Sequence, residues 1–239
     1  MPRCLVSLGS NLGDTEAALD GAETELQKLA KPNSFRVSER HRTAPIGGPG
    51  GQKEFLNAVA TLECDRSSAE LLASLQAIES VAERQRVRRW DARTLDLDLL
   101  LYDEQVVQRN ELRVPHPRMT FRPFVLEPAV EVAPDWRHPE CETTLAELLS
   151  VLRDGDDRVR VVGDDGNVAS WIESTHGERV AIDDERADAR QPKLTIDASR
   201  NGPAAGRSGP RLALADCPPE HWQAEVAAAL ECVWPTRSS

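Results

Sequence analysis

No Cys-x-x-Cys pair occurs among the five cysteines, Cys4, Cys64, Cys141, Cys217 and Cys232. Metal-ligand spacing is therefore missing, and the odd count points to reduced thiols in a cytosolic protein. Basic charge is in deficit: 29 Lys and Arg stand against 40 Asp and Glu, a net charge of -11. Such a chain repels phosphodiesters, so general nucleic-acid binding is not expected. No apolar stretch is long enough for a membrane helix, and "MPRCLVSLGSNLGD" has no signal-peptide core. Neither GxxxxGK[ST] nor a kinase Gly-rich loop is present. Internal repeats are absent too. What remains is a soluble, cytoplasmic protein of 239 residues whose 40% hydrophobic content can build a core.

"RCLVSLG" (residues 3–9) reads as a short strand. Ala18, Ala22, Leu26 and Leu29 recur at helical spacing until Lys31-Pro32. "SFRVSERHRTA" alternates and predicts one strand, and "PIGGPGGQ" (residues 45–52) predicts a loop. "EFLNAVATLECD" predicts a strand with Phe55, Asn57, Val59 and Thr61 on one face. Ser67 or Ser68, with Glu70 near the capping-box position, opens a second helix. "TLDLDLLLY" closes the series as a strand. The order β-α-β-β-α-β predicts an α+β, ferredoxin-like core in which an antiparallel sheet carries helices on a face. "EQVVQRNELRVPHPRM" reads as a hairpin and loop, "RPFVLEPAVEVA" and "TTLAELLSVL" as helices.

From Arg153 the character changes, which sets the expected division at 1–152 and 153–239. "RDGDDRVRVVGDDGNVASWIES" is expected as a hairpin of strands. Residues 185–210, charged and then rich in Gly, Pro and Ser, are expected as a flexible linker. "RLALADC" and "PPEHWQAEVAAALECVW" read as a last strand and helix.

Asp96 and Asp98 are one residue apart in a strand, so they share a face while Leu95, Leu97 and Leu99 go inward. Two readings fit: a solvated face with each acid paired to an arginine, or a site for a divalent cation carrying substrate phosphates. "RQRVRRWDAR" holds five arginines in ten residues immediately upstream. Planar guanidinium groups suit phosphate, and Trp90 offers a flat surface. Acids and arginines together favour a polyphosphate held by magnesium. Asn11, after Gly9-Ser10, reads as a turn residue or helix cap.

"SLGSNLGD", "RTAPIGG", "EFLNAVATLECD", "RWDARTLDLDLLLYD" and "VPHPRMTFRPFVLEP" occur in that order. Over residues 3 to 152 the chain resembles the 6-hydroxymethyl-7,8-dihydropterin pyrophosphokinases of folate biosynthesis. The resemblance implies transfer of the β,γ-pyrophosphoryl group of ATP to the pterin hydroxymethyl oxygen, releasing AMP. It implies two magnesium ions on Asp96 and Asp98. It implies a pterin held between Phe55 and Phe124, with Asn57 and the backbone near Thr43, Pro45 and Ile46 at its edge. Arg84 and Arg93 match mobile-loop arginines on the phosphates, and Gln76, Glu79, Arg86, Trp90, His116 and Arg122 match ATP-site positions. The "GGPGG" and Arg-rich loops are expected to close over both substrates. Two departures stand out: Asp91-Ala92 replaces a Gly-Pro common in the family, and Phe55 stands where tyrosine is common. The resemblance stops near residue 152. The remainder is expected to be either an addition for self-association or partner binding, or a decayed second domain.

Overall fold

The computed structural model describes residues 1–46, 52–82, 94–109, 111–163, 166–183, 191–199, 208–215, 217–218 and 220–235. β1 (Arg3–Ser10) lies inside an antiparallel sheet. Asp14 in extended conformation then caps α1 (Thr15–Leu29), its carboxylate accepting the Ala17 N–H at 3.0 Å. Leu19, Ala22 and Leu26 form the buried stripe of α1, with Ala18 at its margin.

The single strand expected across "SFRVSERHRTA" is two: β2 (Arg36–Val37) and β3 (His41–Thr43), both paired with β4 (Phe55–Glu63). The break is made by side chains. Ser38 exchanges bonds with Val59, its hydroxyl accepting the Val59 N–H at 3.0 Å. Arg40 turns out of the sheet to meet Glu16, Asp20 and Glu23 along α1 at 2.6 to 2.9 Å. α2 (Ser68–Val81) opens with a capping box between Ser67 and Glu70. β5 (Asp96–Tyr102) then pairs with the other side of β1. The sheet order is β2-β4-β1-β5, with β3 also on β4 and every pairing antiparallel.

β4 is buried from Leu56 to Leu62, without exposed alternation, because both faces of the sheet are covered. On one face Val6, Leu8, Ala58, Leu97 and Leu99 meet Leu19, Leu26, Leu71 and Leu75 of α1 and α2. The expectation of helices on one face is thus incomplete. Leu5, Val59 and Leu101 look the other way, into a second core. A register shift beside Leu5 leaves Leu100 extra, so Leu100 and Leu101 both enter that core.

The hairpin β6 (Val107–Arg109) and β7 (Leu112–Val114) forms as expected, followed by a 3-10 turn at Met119–Phe121. α3 (Pro123–Val132) starts with proline in its first turn, where no intrahelical N–H is needed. β8 (Arg137–His138) and β9 (Thr143–Thr144) make a small ladder. α4 (Leu145–Asp154) begins at a Thr144–Glu147 capping box.

The extension departs from expectation. β10 (Asp156–Val162) is followed by α5 (Asn167–His176), so "NVASWIES" is helical and no hairpin forms; Val168 and Ile172, four apart, bury one helix face. β11 (Ala181–Ile182) comes next. β12 (Pro192–Asp197) lies inside the stretch expected as a linker. β13 (Arg211–Ala213) and α6 (Trp222–Val233) end the fold as expected. These strands form a second sheet, β11-β10-β12-β13, with all pairings parallel. β12 is hard to see in composition because its buried positions include Thr195 and Asp197. Asp197 is tolerated there because it pairs with Arg211 of the neighbouring strand.

Val159, Leu194, Ile196, Leu212, Val226 and Leu230 share one continuous core with Leu5, Val59, Leu126 and Leu148. The division expected at residue 152 falls inside α4, whose Leu152 is buried in that core. Among the described residues, no helix is long and apolar enough to cross a membrane.

Candidate functional site

A cavity of about 340 Å³ is bordered by residues of β1, β4 and β5 and of the helices α2, α3 and α6. Its floor follows from register. Gly9 of β1 pairs with Asn57 on one side and with Asp96 on the other, and Ser7 pairs with Val59 and Asp98. A Cβ at Gly9 would come within 3.3 Å of Asn57 Oδ1 and 4.0 Å of Asp96 Cβ. Glycine is therefore what lets the amide and the carboxylate converge here.

Asp96 and Asp98 do share a face: both line the cavity, half-buried, while Leu95 and Leu99 go to the α1–α2 core. The strand carrying them is pinned from behind. Glu79 of α2 is buried, and its Oε1 accepts the Leu97 N–H at 3.0 Å. This carboxylate therefore has a structural job as well as a place on the cavity wall.

Asn57 is buried and donates its Nδ2 to the Thr43 hydroxyl at 2.8 Å, which fixes the amide's orientation. Thr43, Pro45, Ile46 and Phe55 continue the same side of the cavity, and Phe124 and Gln76 also line it. The Arg122 guanidinium lies 5.4 Å from the centre of the Phe124 ring, within cation–π range. Burial pushes the Arg122 pKa down, with Cys232, Asp98 and Asp96 acting in the opposite sense and Arg118 reinforcing it.

His116 follows Pro115 and precedes Pro117, and its N–H bonds to the Leu100 carbonyl at 2.9 Å. Its Nδ1 accepts the Arg118 N–H at 3.2 Å, which places the ring proton of the neutral form on Nε2. Nε2 lies 3.8 Å from Asp98 Oδ2. Burial first, then the Arg122 and Arg118 cations, push the His116 pKa down to about 3, with Asp96 opposing. The imidazole is neutral at physiological pH, with its remaining donor on the nitrogen nearest Asp98.

Twelve residues singled out from sequence thus come together: Thr43, Pro45, Ile46, Phe55, Asn57, Gln76, Glu79, Asp96, Asp98, His116, Arg122 and Phe124 all line one cavity. Arg84, Arg86, Trp90 and Arg93, and the loops expected to close over the substrates, lie wholly or mainly outside the described residues. Asn11 does not cap α1, a role taken by Asp14; its amide reaches Gln52 at 3.2 Å. Ser7, Gly9, Arg118, Phe121 and Val125, together with Glu225, Ala228, Ala229 and Cys232 of α6, also line the cavity and were not foreseen. For Ser7 and Gly9 the clue is the glycine ending β1. For the α6 residues no local pattern distinguishes a cavity wall from an ordinary buried helix face.

Among the described residues no group of three His, Cys, Asp or Glu could hold a metal by itself. Asp96 and Asp98 fit magnesium nonetheless: it takes hard oxygen ligands and commonly uses one or two carboxylates completed by substrate phosphates and water.

Paired carboxylates, a neutral imidazole and a guanidinium set against an aromatic ring around one cleft are the kinds of group that suit a phosphate-handling protein of mixed helix and strand. Residues 5–134 match the family described as 7,8-dihydro-6-hydroxymethylpterin-pyrophosphokinase (HPPK). The chain belongs to that family. It is 40% identical over 145 residues to a 2-amino-4-hydroxy-6-hydroxymethyldihydropteridine pyrophosphokinase of Synechocystis sp., covering 61% of this chain and 73% of the relative. It is 41% identical over 148 residues to the Pseudomonas aeruginosa protein of the same name, covering 62% of this chain and 90% of the relative. Among solved structures, Plasmodium falciparum HPPK-DHPS wild type with pteroate is similar in fold, with a TM-score of 0.50 at 10% identity. That likeness covers 82% of this chain and 56% of the Plasmodium chain.

Proposed function

We propose that this cleft performs the reaction its family is named for. The chain transfers the pyrophosphoryl group of ATP to the hydroxymethyl group of 6-hydroxymethyl-7,8-dihydropterin, giving AMP and the pterin diphosphate in folate biosynthesis. The observation that carries the reading is that Asp96 and Asp98 open on the same cavity as Phe55, Asn57 and Phe124. A charge-handling end and an aromatic end are then within one substrate's reach of each other.

In this reading a pterin ring lies between Phe55 and Phe124, which exclude water from its faces. Asn57, preoriented by Thr43, reads its edge together with the backbone near Pro45 and Ile46. Gln76, Glu79, His116 and Arg122 face the nucleotide, and by resemblance alone Arg84, Arg86, Trp90 and Arg93 join them. Asp96 and Asp98 are the groups that would hold two magnesium ions, which when bound neutralise phosphate charge and lower the pKa of the attacking hydroxyl. The remaining work is done by the chain. His116 Nε2–H donates to a phosphate oxygen. Arg122, braced on Phe124, stabilises negative charge on the transferred group. No side chain need act as general base, since phosphoryl-type transfer depends chiefly on in-line positioning and charge neutralisation.

The core that presents these groups reads as ferredoxin-like: its βαββαβ order and antiparallel β2-β4-β1-β5 sheet support this. All five cysteines are free, which supports a reducing, cytoplasmic setting. The decisive test is product identity. Phosphorus NMR of the protein with magnesium, ATP and 6-hydroxymethyl-7,8-dihydropterin should show AMP and a pterin diphosphate; ADP as the nucleotide product would refute the reading.

A further inference from the structure

α6 lies beyond residue 134, where the family match ends. Yet Glu225, Ala228, Ala229 and Cys232 line the cavity that holds Asp96, Asp98 and Arg122. Their spacing of three, four and seven residues puts them on one stripe of the helix. Burial pushes the Cys232 thiol up to about 11, with Arg122 pulling against it, which agrees with Cys232 lying beside that arginine inside the cleft.

α6 is fastened to the catalytic core at several points. Glu225 is buried, and its Oε2 receives Arg118 Nη2 at 2.8 Å and Nε at 2.9 Å. Arg118 is itself a cavity residue and donates its backbone N–H to His116. The Thr120 hydroxyl accepts the Arg211 N–H at 3.0 Å and lies 3.1 Å from the Arg211 carbonyl, tying β13 to the turn before α3. Val226, Ala229 and Leu230 are buried in the core shared with α3 and α4. The buried Glu225 carboxylate depends on the partly exposed Arg118 for its charge partner, and together with the apolar burial it anchors the helix in place.

We infer that α6 is a fixed wall of the substrate cavity and that Ala228 on that wall sets the room left for substrate, a specificity-determining position supplied by the C-terminal extension. This rests on the reading that the cavity takes the pterin and the nucleotide. The argument is one of volume. At about 340 Å³ the cavity is near the lower end of the range for small-molecule sites. Ala228 is half-buried and faces into it, so a longer side chain there takes space directly from the ligand. Ala227, also half-buried on the same helix, does not line the cavity and is the matched control.

The test uses the full-length chain with Ala228→Leu, the smaller Ala228→Val, and Ala227→Leu. Binding of magnesium-ATP and of 6-hydroxymethyl-7,8-dihydropterin is measured separately by calorimetry, alongside AMP formation and thermal melting. Ala228→Leu should weaken at least one ligand about tenfold or more and raise KM more than it lowers kcat, with Ala227→Leu within about twofold of wild type. If the leucine variant does not fold, Ala228→Val carries the same test with a smaller loss. Wild-type affinity for both ligands in the folded Ala228 variants would overturn the inference, as would equal losses in Ala227→Leu. Should wild type bind both ligands but form no AMP, the reaction assignment fails, while the Ala228 binding data still decide the wall.

Discussion

Glu79 Oε1 accepts the backbone N–H of Leu97 at 3.0 Å, joining α2 to the strand residue that separates Asp96 from Asp98. A buried carboxylate thereby anchors the strand that carries the acid pair without being one of the acids. Ala in its place would leave a buried N–H without this acceptor. The expected cost is about 1–3 kcal/mol of stability, with a further fall in turnover because Asp96 and Asp98 lose their support. Glu79→Gln retains an acceptor and should lose less on both counts. Urea unfolding and AMP formation on the two variants measure this; equal behaviour of Glu79→Ala and wild type would remove the bracing role.

Asp96 and Asp98 themselves are half-buried and border open space, so their replacement should spare the fold and strike the chemistry. Asp96→Ala and Asp98→Ala are each expected to cut AMP formation by more than the roughly 10–100-fold lost with an outer-shell metal partner. Melting temperature should move little. Chelation of magnesium from wild type should have the same effect and be reversed by adding the ion back. Near-normal turnover in both variants would rule out the acid pair as the metal site.

Phe124 should separate the two substrates. Its ring faces the cavity, and Phe124→Ala removes one face of the pterin sandwich, expected to cost about 1–3 kcal/mol of pterin binding. Loss of the Arg122 cation–π contact should weaken ATP by less. Titration of each ligand alone checks this, and equal losses for both would count against the stacked pterin.

His138 gives a pH dependence unrelated to the cleft. It is buried in β8, accepts the Cys141 N–H on Nδ1 at 3.2 Å, and burial pushes its pKa down from 6.5 to about 4. The folded state therefore binds fewer protons than the unfolded state between these values. Stability from this residue is fully present above pH 6.5 and falls as the pH drops towards 4, by about 3 kcal/mol at the limit. His138→Asn keeps an acceptor without a titrating ring. Urea midpoints over that range should fall less steeply for the variant than for wild type; parallel slopes would exclude His138 as a source.

The two capping boxes act in the same direction at lower pH. Hydrogen bonds to Ser67 and to Thr144 hold the Glu70 and Glu147 carboxyls below their ordinary pKa. Their contribution is present above the ordinary carboxylate pKa and lost as the pH falls through the lowered values. A Glu70→Gln, Glu147→Gln double variant should therefore show a shallower acid limb in circular dichroism than wild type.

Elements with a strong local signature were legible. The capping box before α2, the hairpin β6–β7 and the shared face of Asp96 and Asp98 follow from period, cap chemistry and turn residues over a few positions. β12 was hidden because its polar residues look like linker until Arg211, fourteen positions on, is seen beside Asp197. The split of β2 from β3 likewise depends on Arg40 finding Glu16, Asp20 and Glu23 across a helix.

The chemistry of the cleft belongs to the chain's local code, because acid spacing, aromatic placement and the motif order are properties of short segments. The cavity's far wall belongs to packing. Nothing in "HWQAEVAAALECV" marks Ala228 as lining the same cavity as residues 96 and 98. That arrangement exists because burial of Val226 and Leu230 and the ion pair of Glu225 with Arg118 bring α6 across more than a hundred residues of chain.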